Sequence, residues 1–201
     1  MDYAEPRWLA IMGQLVSYGA GFPVFVVTSY GILTNIYRSN LRWRMPVIFA
    51  VLSMYGWAAG IVPAIVDGTI KVNVVMHNTD WVPGHFHWYL IMGVLPMVLA
   101  FLYHVIGSNR EQPYNNILSD KVGIPVFIVG AFIFVLAFLD AGHMSVPRRM
   151  AVHLPQWVPY DKAGSIGAIL IILGMLIFVI RIIAGLSKRA PSNAGAANTA
   201  G

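Results

Sequence analysis

Cysteine is absent from this sequence of 201 residues. Its absence excludes disulfides, thiolate metal sites, iron–sulfur clusters and thiol nucleophiles from the chain. Any copper or iron bound here would need histidine, methionine or oxygen ligands instead. The six histidines are therefore the first candidates for metal ligands.

Charge is also scarce, since charged residues make up 10% of the chain and hydrophobic residues 58%. A soluble globular domain carries about 25% charged residues. A chain this poor in charge cannot cover a water-facing surface, which argues against an ordinary soluble enzyme. The formal charge of +5 is read as loop charge in a membrane protein, and the sequence contains no nucleic-acid-binding motif.

Long uncharged runs are what the sequence has instead. A membrane-spanning helix needs roughly 20 apolar residues, and five runs reach or approach that length. They are Trp8–Tyr37, Met45–Val66, Trp81–Asn109, Val122–Leu139 and Ala163–Ile180. We therefore predict an all-α integral membrane protein with five transmembrane helices in residues 1–186. The polar remainder, 187–201, has the composition of a disordered tail.

Loop charges predict the orientation of these helices. With the N-terminus outside the cytoplasm, eight basic residues fall in inside segments and five in outside segments, which agrees with the positive-inside rule. The inside set is Arg38, Arg42, Arg44, Arg110, Lys121, Arg181, Lys188 and Arg189. The outside set is Arg7, Lys71, Arg148, Arg149 and Lys162.

The most informative stretch begins at His77 and ends in His85-Phe86-His87. Pro83 and Gly84 resemble the entry to the third span, since proline is tolerated in the first turn of a helix. Side chains two residues apart on a helix diverge by about 200°, so His85 and His87 would bind two different cofactors if both are ligands. The alternative is that each histidine only hydrogen-bonds a neighbouring helix, although ionisable groups inside a membrane are functional candidates by default.

The motif in residues 77–87 is His-Asn-Thr-x-Trp-Val-Pro-Gly-His-Phe-His. It resembles the tenth helix and the preceding loop of subunit I in heme–copper oxygen reductases, and most closely those of the B family. Two further blocks agree in order and spacing. The block 39–43 resembles the loop between the eighth and ninth helices, and 141–149 resembles the loop after the eleventh. The resemblance implies that the chain covers helices eight to twelve of a twelve-helix bundle.

The resemblance also implies roles for individual residues. His85 corresponds to the axial ligand of the high-spin heme in the catalytic centre, and His87 to an axial ligand of the low-spin heme. Phe86 would lie between the two hemes. Arg148 and Arg149 resemble the pair that binds heme propionates, which suits a guanidinium that is always charged and can hold a carboxylate bidentately. Outside this context, the two arginines could equally be solvated loop charges.

Residues before the histidine pair resemble the outer heme edge and the proton or water exit. His77 and Asn78 correspond to positions there, and many A-family relatives have an acidic residue at Asn78 that helps hold a magnesium ion. Some B-family relatives have an acidic residue at the position of Asn73, where an amide cannot take up a proton. Asp80 or His77 would have to substitute for it.

The first span should line a proton path from the cytoplasm, and it contains no lysine where the A family has one. Alignment from the block 39–43 puts that position at Thr28, and alignment from Pro23 puts it at Val27. We favour Thr28, because a hydroxyl can relay a proton. The further polar candidates, for which helix packing is the alternative role, are Ser17, Tyr18, Ser29, Tyr30 and Thr34.

The resemblance predicts the C-terminal half or a fragment of the catalytic subunit of a respiratory terminal oxidase, with two hemes and with copper ligands outside this chain. The predicted partners are the N-terminal part of subunit I, a copper-containing subunit II, cytochrome c or a similar donor, and membrane lipid, in the plasma membrane of a prokaryote. Alone, the chain would not turn over oxygen. The alternatives are a nitric oxide reductase of the same superfamily and a non-redox membrane subunit.

Overall fold

The computed structural model describes residues 6–108 and 118–187. A short π-helical segment, Tyr89–Val94, joins the helix Trp81–Trp88 to the helix Leu95–Ser108 without a break, so the two helices form one rod. The helices are α1 Arg7–Arg38, α2 Met45–Gly68, α3 Ile70–Met76, α4 Trp81–Trp88, α5 Leu95–Ser108, α6 Leu118–His143 and α7 Val158–Ser187.

Within the described ranges, five stretches of helix are long and apolar enough to cross a membrane, as the sequence predicted. Each contains all or most of one uncharged run. The first four spans extend beyond their runs by at most four residues at either end, and the last begins five residues before its run and ends six residues after it. The spans are Arg7–Arg38, Met45–Gly68, Trp81–Gly107, Asp120–His143 and Val158–Leu186. Of the predicted polar tail 187–201, Ser187 ends α7 and the rest lies outside the described residues.

Prolines and short polar side chains set the helix ends. Pro6 precedes α1, and Pro46 lies in the first turn of α2, where its missing N–H costs no hydrogen bond. Thr69 separates α2 from α3, and its hydroxyl donates to the Ile65 carbonyl oxygen over 2.9 Å. The third span begins at Trp81, two residues before Pro83, so this proline also falls in a first turn.

The tightest core lies between α2, α5, α6 and α7, away from the histidine pair. Phe49 of α2 packs edge-on against Phe178 of α7 at 4.9 Å between ring centroids, and against Tyr103 of α5 at 5.6 Å. All three side chains are fully buried, as is Phe127 of α6. This core fixes one end of the rod that carries the histidines.

We call the other end of the bundle, formed by residues 67–85 and 141–161, the histidine end. Here α2 and α6 finish while α4 and α7 begin. The helix α1 contacts α2 and α3 and leaves most of its apolar surface exposed, with Val27 at 69% and Tyr30 at 70%. Exposed apolar surface of this extent is typical of contact with lipid or with further helices.

Candidate functional site

Two loops clasp each other at the histidine end and fix where α4 begins. The Asp80 N–H donates to the Val146 carbonyl oxygen over 2.9 Å, and the Arg148 N–H donates to the Asn78 carbonyl oxygen over 3.0 Å. Thr79, which is buried, forms an isolated bridge with Pro147 in the middle of this clasp. The clasp therefore holds the arginine pair, Arg148 and Arg149, next to the first turn of α4, which we call the histidine helix.

His85 faces α2, where it meets a carboxylate. Its Nδ1 lies 2.7 Å from Oδ2 of Asp67, in the last turn of α2, and the two side chains are 20% and 19% exposed. Its Nε2 is buried and has no hydrogen-bond partner among the residues that the structure describes. If Nδ1 donates its proton to the carboxylate, Nε2 carries a free lone pair, which is what an iron or copper ion binds.

His87 faces the opposite way, toward α6. Its Nδ1 lies 2.6 Å from the carbonyl oxygen of Pro83, which can only accept, so Nδ1 carries the proton and Nε2 the lone pair. The ring stacks on Phe138 at 5.6 Å and meets Phe134 edge-on at 5.4 Å. The predicted divergence of His85 and His87 is therefore present, with one ring against α2 and the other against α6.

Phe86 and the two arginines share a cleft of about 500 Å³ beside His87, which is also lined by Asp80 and Phe138. The Phe86 ring is 62% exposed and meets His87 edge-on at 5.7 Å. Two permanent positive charges at the mouth of an aromatic cleft suit a flat ligand that bears carboxylates.

The backbone around the arginine pair is bent in an uncommon way. Arg149 has a φ of 66° and Ser145 a φ of 61°, both in the left-handed region. That region costs a residue with a side chain roughly 1–2 kcal/mol. The clasp is what holds the turn in place, and the turn brings both arginine side chains to the same cleft.

Of the other residues predicted at the outer heme edge, Asn78 accepts a long hydrogen bond of 3.4 Å from Arg148 Nη2, and His77 is partly buried. The Asn73 side chain donates to the Asp67 carbonyl oxygen over 2.8 Å.

Burial raises the pKa of the Asp80 carboxyl above its ordinary value of 3.8. The charge of His153 opposes this rise, and the charge of Asp161 adds to it.

The polar candidates on α1 do not form one continuous chain of contacts. Tyr18 hydrogen-bonds the Thr69 hydroxyl, and Ser17 lies against Gly68, so both belong to the α2–α3 junction. Thr28 and Ser29 are partly buried about ten residues further along, roughly 15 Å at 1.5 Å per residue. Tyr30 is exposed.

The sequence prediction missed Asp67 and the two phenylalanines of α6. Asp67 counts in the sequence only as a loop charge at the end of the second run, and nothing local connects it with a histidine 18 residues away. The helical spacing of Phe134 and Phe138 is a signal that could have been read, since residues four apart share a face.

The donor set fits heme iron. Each histidine has its Nδ1 engaged by an acceptor, and the two rings face different neighbours, α2 for His85 and α6 for His87. The buried Nε2 of His85 lacks a partner among the described residues, and a buried polar atom without a partner costs about 1–3 kcal/mol. Among those same residues, no three His, Cys, Asp or Glu side chains come together as a metal-binding group.

Fold and site together define an integral membrane protein in which one helix presents a histidine on each of two faces. A profile of the family described as "Cytochrome C and Quinol oxidase polypeptide I" matches residues 1–189. The chain belongs to this family. The family implies heme and copper as cofactors, and the predicted resemblance to subunit I of heme–copper oxidases is confirmed.

Individual relatives agree. The chain is similar to cytochrome c oxidase subunit 1 of Thermostichus vulcanus, with 25% identity over 89% of this chain and 32% of the relative. It is 28% identical to cytochrome c oxidase subunit 1 of Thermus thermophilus over 74% of this chain and 28% of the relative. The chain thus spans about a third or less of the length of these curated relatives.

A solved structure has the same fold. It is described as a heme–copper terminal oxidase dimer determined by cryo-electron microscopy, and it superimposes with a TM-score of 0.77 at 20% identity. The match covers 95% of this chain and 39% of that one. The predicted all-α fold with five apolar helices is therefore confirmed.

Proposed function

We propose that this chain contributes the helix that binds both hemes in a respiratory terminal oxidase, which reduces oxygen to water. The observation that carries the proposal is the opposed pair His85 and His87, each with Nδ1 bonded to an acceptor. The hemes, when bound, supply electron transfer and, together with copper, the site of oxygen reduction. The oxidase names of the relatives support oxygen rather than nitric oxide as substrate.

In this proposal the chain's own residues bind and orient. His85 holds the high-spin heme, and His87 holds the low-spin heme against the rings of Phe134 and Phe138. The guanidinium groups of the arginine pair hold propionates through charge-assisted hydrogen bonds. Phe86 fills the space between the two heme sites, and His77 lies at the outer heme edge or proton exit.

The proposed assembly includes the N-terminal part of subunit I, with the copper ligands, and a copper-containing subunit II. Cytochrome c or a similar carrier donates the electrons. The predicted B-family membership and helix numbers eight to twelve belong to this proposal too. We also propose a prokaryotic plasma membrane with the N-terminus outside and the C-terminus inside, which the loop charges support.

The test separates the two ligands in the assembled complex. His85→Ala should abolish or alter carbon monoxide binding at the high-spin heme while the low-spin absorption bands survive. His87→Ala should collapse the low-spin bands and leave carbon monoxide binding in place. The matched control is His143→Ala, an exposed histidine at the same end, which should leave both signals unchanged. Loss of the same component in both variants contradicts the two-sided assignment.

Proton movement coupled to oxygen reduction is the second part of the proposal. Thr28 is partly buried while its neighbour Val27 is 69% exposed, which supports Thr28 as the relay. Thr28→Val should slow turnover with both heme spectra intact, because the relay hydroxyl is gone. Thr28→Ser retains a hydroxyl and should turn over near the wild-type rate. Equal rates for the Val and Ser variants would leave Thr28 with a packing role only.

A further inference from the structure

The Asp67–His85 contact links the histidine helix to α2. Asp67 Oδ2 lies 2.7 Å from His85 Nδ1, which is the short distance of a charge-assisted hydrogen bond. The opposite ligand, His87, bonds instead to the neutral carbonyl oxygen of Pro83 in its own helix. The two histidines therefore differ in the charge of the group that accepts their proton.

Among the described residues, the Asp67 carboxylate has no hydrogen-bond partner other than His85. Its second oxygen, Oδ1, is buried and has no hydrogen-bond partner among the described residues. Its backbone is held in the last turn of α2, where its carbonyl oxygen accepts from Asn73 Nδ2 over 2.8 Å. A carboxylate that is four-fifths buried is costly to desolvate, and its contact with His85 is what offsets that cost.

We propose that Asp67 is a positioning residue that fixes the His85 ring and increases the electron donation from its Nε2 to a bound iron. A carboxylate that accepts the Nδ1 proton orients an imidazole ligand and raises its basicity. The proposal rests on the proposed function, since it takes His85 as the heme ligand. It makes the two heme ligands chemically unequal, with the anionic partner on the His85 side alone.

The experiment uses the assembled complex with Asp67→Asn, Asp67→Ala and Asp67→Glu. Resonance Raman spectroscopy of the reduced enzyme measures the iron–histidine stretching frequency, and a redox titration measures the midpoint potential of the high-spin heme. The frequency should fall from Asp to Asn to Ala. The neutral Asn side chain accepts the Nδ1 proton more weakly than the carboxylate does, and the Ala side chain does not accept it at all. The potential should rise in the same order, and Asp67→Glu should recover part of both values.

Asp161→Asn is the matched control, because Asp161 also pairs with a histidine, His153, at 2.8 Å. It should leave the iron–histidine frequency unchanged. A carboxylate that only supports packing would lower the amount of bound heme and leave the frequency where it was. An unmoved frequency in Asp67→Asn overturns the role of Asp67.

Failure of the proposed function has a different signature. A wild-type complex without any iron–histidine band, or one whose band survives His85→Ala, overturns His85 as the ligand and Asp67 with it. A normal wild-type band that the Asp67 variants do not move overturns only Asp67. The isosteric Asp67→Asn decides the matter if Asp67→Ala fails to assemble, and the low-spin bands report assembly in every variant.

Discussion

The two faces of the histidine helix differ in what holds each histidine. On the α2 face, His85 depends on a carboxylate from another helix, and its ring lies 5.1 Å from that of Tyr89. On the α6 face, His87 is fixed by a carbonyl of its own helix and enclosed by two phenylalanine rings. One face is therefore polar and built between helices, and the other is aromatic and partly built within one helix.

Two histidines only two residues apart therefore have different surroundings, because their Nδ1 atoms contact different acceptors. The tautomer is the same on both faces, because each Nδ1 faces an acceptor. What differs is the charge of the acceptor and its dependence on a neighbour. A shift of α2 should disturb only the His85 face, whereas a shift of α6 should remove the rings that enclose His87.

The largest effect is expected from Gly142→Ala, where α6 passes the start of α4. A Cβ on Gly142 would lie 2.1 Å from the Trp81 backbone nitrogen, which cannot move aside. Overpacking of this kind should cost about 3 kcal/mol, and Phe138 moves with α6. The low-spin bands should therefore be lost at a lower temperature than the carbon monoxide signal.

The control for this variant is Gly164→Ala, whose Cβ meets its nearest atoms at 3.9 Å. It should leave the melting of both signals within a degree or two of wild type. If Gly142→Ala melts like Gly164→Ala, the close contact between α6 and α4 does not exist in the assembled protein.

Gly60→Ala should give the opposite pattern with a smaller effect. Its Cβ would lie 2.4 Å from Cε1 of the Tyr89 ring and 2.9 Å from Cδ1 of the Trp88 ring, and rings can rotate slightly where backbone cannot. We expect a loss of about 2 kcal/mol, with carbon monoxide binding damaged before the low-spin bands. Val62→Ala, at an exposed position of the same helix, is the control. Damage confined to the low-spin heme would contradict the assignment of α2 to the His85 face.

Phe138→Leu tests the aromatic enclosure of His87. An aromatic stack contributes about 0.5–1.5 kcal/mol beyond its buried area, so the low-spin bands should shift and melt slightly earlier. Phe132→Leu also removes an aromatic contact, but with Trp88 at 5.2 Å, and should leave those bands in place. Equal shifts in both variants would mean that the stack on His87 has no specific role.

Features set by local helix geometry were predictable from the sequence. The five spans follow from uncharged runs, and the opposed directions of His85 and His87 follow from their spacing of two. The first depends on the length of each apolar run, and the second depends on the helical repeat. The arginine pair was named from the family resemblance of the block 141–149. In the structure both arginines line a cleft together with Phe86.

Features that depend on the path of the chain were not predictable. The Asp67–His85 bond joins two helices that the intervening α3 and its loops bring together, and no local pattern encodes that approach. The clasp between Asp80 and Val146 joins residues in separate loops that share no motif. The π-helical segment directly after the histidines is likewise invisible in a run of apolar residues.

The smallest effect is expected from the pH dependence of Asp80, at the start of the histidine helix. Burial raises the pKa of its carboxyl in the folded protein above 3.8, so the folded state binds this proton more tightly than the unfolded state. The stabilising contribution is full below the unfolded pKa and is lost as pH rises through the folded pKa. Asp80→Asn resembles the protonated form, so its thermal stability should match wild type at about pH 3, below the unfolded pKa, and exceed it at about pH 7. The gain is small because solvent screens a partly exposed carboxylate.

Asp80→Glu is the control for this variant. It retains the charge and should retain the wild-type slope of thermal stability against pH. If that slope is unchanged in Asp80→Asn, the Asp80 carboxyl does not set it.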